Sequence, residues 1–177
     1  MITQKYLMEA MDYDPETGIF TWKRRPDHHF ASPGYARAWN AKWSGSQAGN
    51  INKTHGYYMV SFKNEKYLLH RLAWLYVYGR MPDLHIDHIN SIRTDNRIDN
   101  LREVTRQENQ KNTKLHSNNT SGYCGVYYHK VWGKWVAHIK DQGKHVHLGG
   151  FKDKEDAVKV RLQAEIQYGY HQNHGRK

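Results

Sequence analysis

The segment LHIDHINSIRTDNRIDNLREVTRQENQKN, residues 84–112, decides how this chain is read. Leu84 to Ile89 alternate apolar and polar side chains, which predicts a strand. Asn90 to Asn100 are dense in Asn and Asp, residues whose side chains bond nearby backbone in turns, so a polar loop follows. Leu101 to Val104 predict a second short strand. Thr105 with Glu108 three residues later is a capping-box signature; it starts a helix at Thr105 and puts Asn109 in the first turns. Strand, loop, strand and helix make a small α+β core of about residues 84–112.

Outward from this core, the amino-terminal side predicts a short helix from Gln4 to Met11, a turn at Asp14 to Gly18, and a strand from Ile19 to Trp22. Lys23 to Gly49 show no steady period and read as a long basic loop. Gly56 to Phe62, a turn at Lys63, Asn64 and Glu65, and a return strand from Lys66 predict a hairpin. Leu68, Leu69, Leu72, Ala73, Leu75 and Tyr76 fall at helical spacing, with Gly79 and Pro82 as the stop. On the carboxy-terminal side, Asn112 to Gly122 are rich in Asn, Ser and Thr, which places a linker at 113–121. Strands are expected at Gly125 to His129, Lys134 to Lys140 and Lys144 to Leu148. A helix capped by Asp153 closes the module, with Ala157, Val160, Ala164 and Tyr168 as its stripe. The tail from His171 to Lys177 is expected to fray. The organisation is an amino-terminal lobe plus core over 1–112, a linker, and a small module over 122–170.

Charge points to the partner. The 177 residues carry a net charge of +10, which favours a polyanion through release of its counterions. Ten Lys and Arg face two acidic residues between Thr17 and Arg80, and fourteen face seven from Arg102 onward. Between Asp83 and Asp99 the sign reverses, with Asp83, Asp87, Asp95 and Asp99 against Arg93 and Arg97. A carboxylate-rich centre between basic flanks would repel nucleic acid unless a cation sat there. No apolar stretch is long enough to span a bilayer and no signal-peptide pattern opens the chain, so a soluble, cytoplasmic protein is expected. The single cysteine, Cys124, excludes an internal disulfide framework and a multi-cysteine zinc ribbon.

Hydrolysis of a phosphodiester near neutral pH needs a base for water and a cation for the charge on the phosphorane and the leaving 3′ oxygen. His88 is suited to be that base. Asp87 and Asn109 offer oxygen ligands to a hard ion such as Mg2+. Because adjacent strand residues face opposite sides, Asp87 and His88 share a site only if the strand twists or bulges.

The pattern Asp87-His88-Ile89-Asn90, Asn96, Asn100-Leu101, Glu108-Asn109 resembles the HNH motif of phage and intron-encoded homing endonucleases. Asp14-Pro15-Glu16-Thr17-Gly18, Gly56-Tyr57 and His70-Arg71-Leu72-Ala73-Trp74 resemble the usual lead-in, so the likeness covers roughly residues 5–112. It implies a ββα-metal fold behind an amino-terminal hairpin lobe, and one Mg2+ or Mn2+ ion held by Asp87 and Asn109. It also implies His88 as general base, with Asn100 orienting the loop and the base. Loop integrity is expected to rest on Asn96, Asp99 and Asn100. Arg71, Arg93 and Arg97 are candidate phosphate contacts; His70 is equally well a packing residue of its helix.

Ser121 to Gly169 resemble a reduced AP2 DNA-binding domain, through Gly125-Val126, Trp132-Gly133-Lys134-Trp135, Ala137-His138-Ile139, Leu148-Gly149-Gly150-Phe151 and Glu155-Asp156-Ala157. That likeness implies a three-stranded sheet laid in the major groove. Tyr127, His129, Trp132, Lys134, His138, Lys140, His145 and His147 are the expected contacts. Several stand where the family has arginine, so grip is expected more than base reading. His138, His145 and His147 could instead bind a transition metal. The leading expectation is a nuclease acting on double-stranded DNA without a small-molecule cofactor or a membrane. A non-catalytic DNA-binding protein on the same scaffold and an RNA-binding protein are the alternatives.

Overall fold

A computed structural model describes residues 2–62, 64–113, 115–172, 174 and 175. Lys63 of the expected hairpin turn, and Asn173, Arg176 and Lys177 of the expected tail, lie outside the described residues. The chain is α+β and divides into two compact units, Met1–Glu103 and Val104–Lys177. Among the described residues no helix is long and apolar enough to cross a membrane.

In the first unit, Thr3 accepts a hydrogen bond from the Tyr6 backbone and starts α1, Gln4–Ala10. Strands β1, Met11–Asp14, and β2, Ile19–Trp22, pair antiparallel from Met11↔Trp22 to Asp14↔Ile19. Their turn closes where the Gly18 amide donates to the Asp14 carbonyl, with Gly18 at φ 73°. Strands β3, Asn50–Ile51, β4, Tyr58–Phe62, and β5, Glu65–Leu68, follow in one sheet. Helix α3, Leu69–Tyr78, buries Leu69, Leu72, Ala73, Trp74 and Leu75 and stops at Gly79 with φ 74°. With Leu7, Ala10, Met11 and Phe20 these form one core. Each large side chain so buried contributes about 1.5–3 kcal/mol. Strands β6, His85–His88, and β7, Leu101–Val104, pair as a two-stranded sheet whose connection is the Asn-rich loop.

The expected basic loop from Lys23 to Gly49 contains a helix instead: α2, Pro33–Trp43. Ser32 caps it and Pro33 occupies the first turn, where its missing N–H costs nothing. Its buried residues are Ala36 and Asn40, so it shows no apolar stripe. Asn40 clamps the Arg25 backbone, accepting from its amide at 2.9 Å and donating to its carbonyl at 2.8 Å. The Arg25 guanidinium lies 4.5 Å from the Phe30 ring and 4.8 Å from Trp39, and donates to the Tyr6 hydroxyl. The helix is thus anchored by a cation among aromatic rings.

In the second unit, Thr105 and Glu108 form the expected capping box of α4, Arg106–Gln110. Strands β8, Val126–His129, β9, Lys134–Asp141, and β10, Lys144–Phe151, pair antiparallel in the order β10-β9-β8. Helix α5, Lys154–Gln167, covers one face, with its Ala157 packed against Val126 and Ala137. Its buried stripe is Ala157, Arg161 and Ala164; the arginine takes the place expected of Val160. Asp153 precedes the helix but makes no side-chain capping bond.

Residues of the expected linker and of the expected tail meet within the second unit. The Lys111 ammonium donates to the Tyr168 carbonyl at 2.6 Å, His171 donates to the Lys111 carbonyl, and Gly175 to the Thr113 carbonyl at 2.9 Å. The chain after α4 is therefore tied to the end of α5.

Gly18 carries a testable constraint. A Cβ there would lie 2.4 Å from the Arg97 nitrogen and 2.5 Å from the Asn96 carbonyl carbon, at a φ that L-residues resist. Gly18→Ala should lower unfolding free energy by at least about 2 kcal/mol. Gly45→Ala, at φ 83° with open space around it, should cost only about 1 kcal/mol. Urea unfolding of both variants measures the difference; equal losses would mean the contact with the loop carries no weight.

Candidate functional site

The loop between β6 and β7 is held by side chains that stand in for regular structure. The Asn100 amide oxygen accepts from the Asn90 backbone at 3.0 Å and its amide nitrogen donates to the Asp95 carbonyl at 2.8 Å. Asn90 donates to the Asp95 carboxylate, which also takes two bonds from Arg97 at 2.7 and 2.9 Å. From outside the loop, the Tyr13 hydroxyl donates to the Asn96 carbonyl at 2.7 Å and the Ile98 amide donates to the Pro15 carbonyl. Asn96, expected only to brace the loop, is 2% exposed and does more. Its amide oxygen lies 3.3 Å from His88 Nε2. An amide oxygen accepts, so the proton belongs on Nε2 and Nδ1 carries the lone pair.

His88 is buried, and rings pack around it: His70 at 5.1 Å and Tyr57 at 5.7 Å between centroids. Burial holds its imidazole below the usual histidine range, against the pull of Asn96, Asp87 and Asp95. Burial, aided by the His88 and Arg71 charges, pushes His70 down to about 3, so it is a neutral wall at any physiological pH. His70 begins α3, and only its place beside a helix start in the sequence hinted at this role.

Asp87 is buried too, but meets a different group. Arg102 of β7 donates to its Oδ2 through Nε at 3.0 Å and through Nη2 at 2.7 Å. The guanidinium thereby fixes the carboxylate's orientation. Asp87 and His88 thus share burial while their recorded partners differ. The Asn100 side chain bonds within the loop, and the bond to the imidazole comes from Asn96. Asn109 lies on α4 in the second unit.

The three expected phosphate contacts of the first unit have internal partners. Arg71 donates to the Pro82 and Leu84 carbonyls, Arg93 to the His55 carbonyl while lying over Tyr57, and Arg97 to Asp95. Arg93 and Arg97 remain exposed; Arg71 is half-buried.

In the second unit the strand register sorts the expected contacts. His129↔Lys134, Tyr127↔Val136, His147↔His138 and His145↔Lys140 are opposed pairs, and opposed residues share a sheet face. Tyr127, His129, Lys134, His138, Lys140, His145 and His147 therefore lie on one face, opposite to that covered by α5, with no carboxylate among these pairs. Trp132, in the turn, stacks on His129 at 4.0 Å. Burial and the neighbouring His145 charge hold His138 below the usual histidine range. The sheet histidines do not form the metal cluster considered from sequence. Among the described residues the one His, Cys, Asp or Glu group whose ligand atoms converge is Glu9, His28 and His29.

The loop makes a prediction about acid. Arg97 first, then the Asn90 amide, draw the Asp95 carboxyl from 3.8 down to about 2. A depressed folded value means the contribution is complete above the unfolded value and is lost as pH falls through about 2. The Asn90 side-chain amide resonances should stay constant from neutral pH to about 4 and move only on approach to 2. Movement centred near the ordinary aspartate value would show that the Asp95–Arg97 pair does not persist in solution.

Comparison with known proteins agrees with part of this picture. Residues 67–111 match the family described as HNH endonuclease. The chain is similar to Protein 3.8 of Escherichia phage T7, 33% identical over 76 residues, covering 42% of this chain and 63% of that protein. It is also similar to APETALA2-like protein 2 of Oryza sativa, from both subspecies indica and japonica. That likeness is 39% identical over 49 residues, 28% of this chain and 11% of the plant proteins. The chain thus spans less than two thirds of each relative. No solved structure matches it.

Proposed function

We propose that the chain is an endonuclease that hydrolyses phosphodiester bonds of duplex DNA, with one Mg2+ or Mn2+ ion and His88 as general base. The observation that supports this most is the buried His88 imidazole, oriented by Asn96 of a loop with little regular structure and adjacent to the buried Asp87 carboxylate. Burying two ionisable neighbours in a short strand costs stability, and such groups cluster at functional sites. The match of residues 67–111 to an endonuclease family points the same way.

An oxygen donor suits a hard cation, and the Asp87 carboxylate would hold it, with water and phosphate oxygens completing the shell. Such an ion would offset charge on the phosphorane and the departing 3′ oxygen. The protein's own residues do the rest. His88 takes a proton from water through Nδ1, while Asn96 holds Nε2 and the His70 and Tyr57 rings restrict the imidazole's rotation. Arg102 keeps the Asp87 carboxylate aimed. Asn100 keeps the loop closed through Asn90 and Asp95.

In this reading the ββα-metal core of about residues 84–112 cuts, and an AP2-like module over 122–170, after a linker at 113–121, grips. The face carrying Tyr127, His129, Lys134, His138, Lys140, His145 and His147, with Trp132 at its edge, meets the duplex. Its aromatic and imidazole surface lies against the groove and its lysines against phosphates. Exposed Arg93 and Arg97, with Arg71, contribute phosphate contacts to the first unit. The similarity to a phage protein favours a phage or mobile-element enzyme.

The test is plasmid cleavage. His88→Ala should lower the metal-dependent rate by about 10²–10⁴ while leaving DNA affinity within a few-fold, since the base acts on water. Equal loss of binding and rate would make His88 structural. No metal-dependent cleavage by the unaltered protein would leave the non-catalytic DNA-binding reading, which the sheet face supports by itself. A second measurement isolates that face: Lys134→Ala with Lys140→Ala should flatten the log affinity against log salt slope by about 1.8, or 0.9 for each lost phosphate contact. An unchanged slope would place the duplex elsewhere.

A further inference from the structure

Glu9, on α1, and His28 and His29, in the single 3-10 turn Asp27–His29, come from distant parts of the sequence and meet at one point. Glu9 Oε2 lies 3.0 Å from His29 Nε2 and 3.3 Å from His28 Nε2, and all three ligand atoms fall within 4.8 Å of one another. None of them belongs to the site around Asp87 and His88. We propose that Glu9, His28 and His29 form a second metal site, selective for a borderline transition ion such as Zn2+, that pins α1 to the segment leading into α2.

The spacing supports this. Four ligands around an ion with bonds of about 2.0–2.1 Å stand roughly 3.3 Å apart, close to the two carboxylate–imidazole separations. The donors are two imidazole nitrogens and one carboxylate oxygen, a set that ranks Zn2+, Cu2+ and Ni2+ above Mg2+. That choice is the reverse of the oxygen-only set proposed for the Asp87 site, so the two sites would sort different ions.

The site is also built in advance. The His29 side chain has no exposure, and its ring stacks on Tyr6 at 3.9 Å with an interplanar angle of 21°. His28, at 68% exposure, and Glu9, at 30%, leave the other side open, so water can complete the shell. Without metal, His29 donates its Nε2 proton to Glu9. On binding, Nε2 presents its lone pair and the proton resides on Nδ1.

Titration of the full chain, without an affinity tag, with ZnCl2 alone in excess MgCl2 tests the proposal by calorimetry and thermal melting. One equivalent should bind and raise the melting temperature. His28→Ala, at an exposed position, should fold normally, keep its Mg2+-dependent cleavage, and weaken Zn2+ binding by at least about tenfold; Glu9→Gln should weaken it similarly. His145→Ala with His147→Ala should bind as the unaltered protein does. Failure of the unaltered chain to bind one equivalent, or unchanged binding by His28→Ala and Glu9→Gln, would overturn the site. Loss of binding in the His145, His147 variant instead would move the ion to the sheet and equally overturn it.

Discussion

The loop from Ile89 to Asn100 depends on a hydroxyl far away in sequence. Tyr13 donates to the Asn96 carbonyl, and Gly18, lacking a side chain, lets the β1–β2 turn lie against the Asn96–Arg97 peptide. The loop has too little regular hydrogen bonding to hold its own course, and each unpaired buried backbone group would cost about 1–3 kcal/mol. The amino-terminal hairpin supplies what the loop lacks. Asn96 is then fixed at its backbone by Tyr13 and presents its side chain to His88. A hairpin with no proposed role in chemistry thereby sets the orientation of the imidazole.

The site's two ionisable groups are handled differently by the fold. His88 is buried among rings, and that burial holds it below the usual histidine range against the pull of the Asn96 amide. Asp87 is given a guanidinium, in a pair whose side chains are 9% and 33% exposed. Such a pair gains little net stability, since desolvation offsets attraction. What it does provide is a single carboxylate orientation. One neighbour is held among rings and the other against a guanidinium, so a strand of four residues presents unlike chemistry at adjacent positions.

Elements announced by local rules were legible in the sequence. The capping box of α4 needs only Thr105 and Glu108, and the stripe of α3 only its own spacing. The β9 and β10 alternation gave the residues of the sheet face. Elements held by distant partners were not legible. Helix α2 buries Ala36 and Asn40, one too small and the other too polar to mark a stripe, because its purpose is to close on Arg25. Arg161 breaks the expected apolar stripe of α5 since it pairs with Glu165 one turn on, and that pairing needs no apolar signal. The resemblance to the HNH motif implied Asn100 as the residue that orients the loop and the base. Its two hydrogen bonds run within the loop, and Asn96 reaches His88 because Tyr13 turns the backbone there. The bonds from the far end of the chain to Lys111 and Thr113 likewise fall in no local window.

Tyr13 and Asn96 stand 83 residues apart. A ribosome adding about 5–20 residues per second finishes the hairpin at Trp22 roughly 4–15 s before it adds Asn96. The surface that shapes the loop can therefore be assembled, with α1 and α3 packed against it, by the time the loop leaves the exit tunnel. The loop is cast against a finished mould during translation, and every residue of the first unit is in the chain before most of the sheet unit has been synthesised.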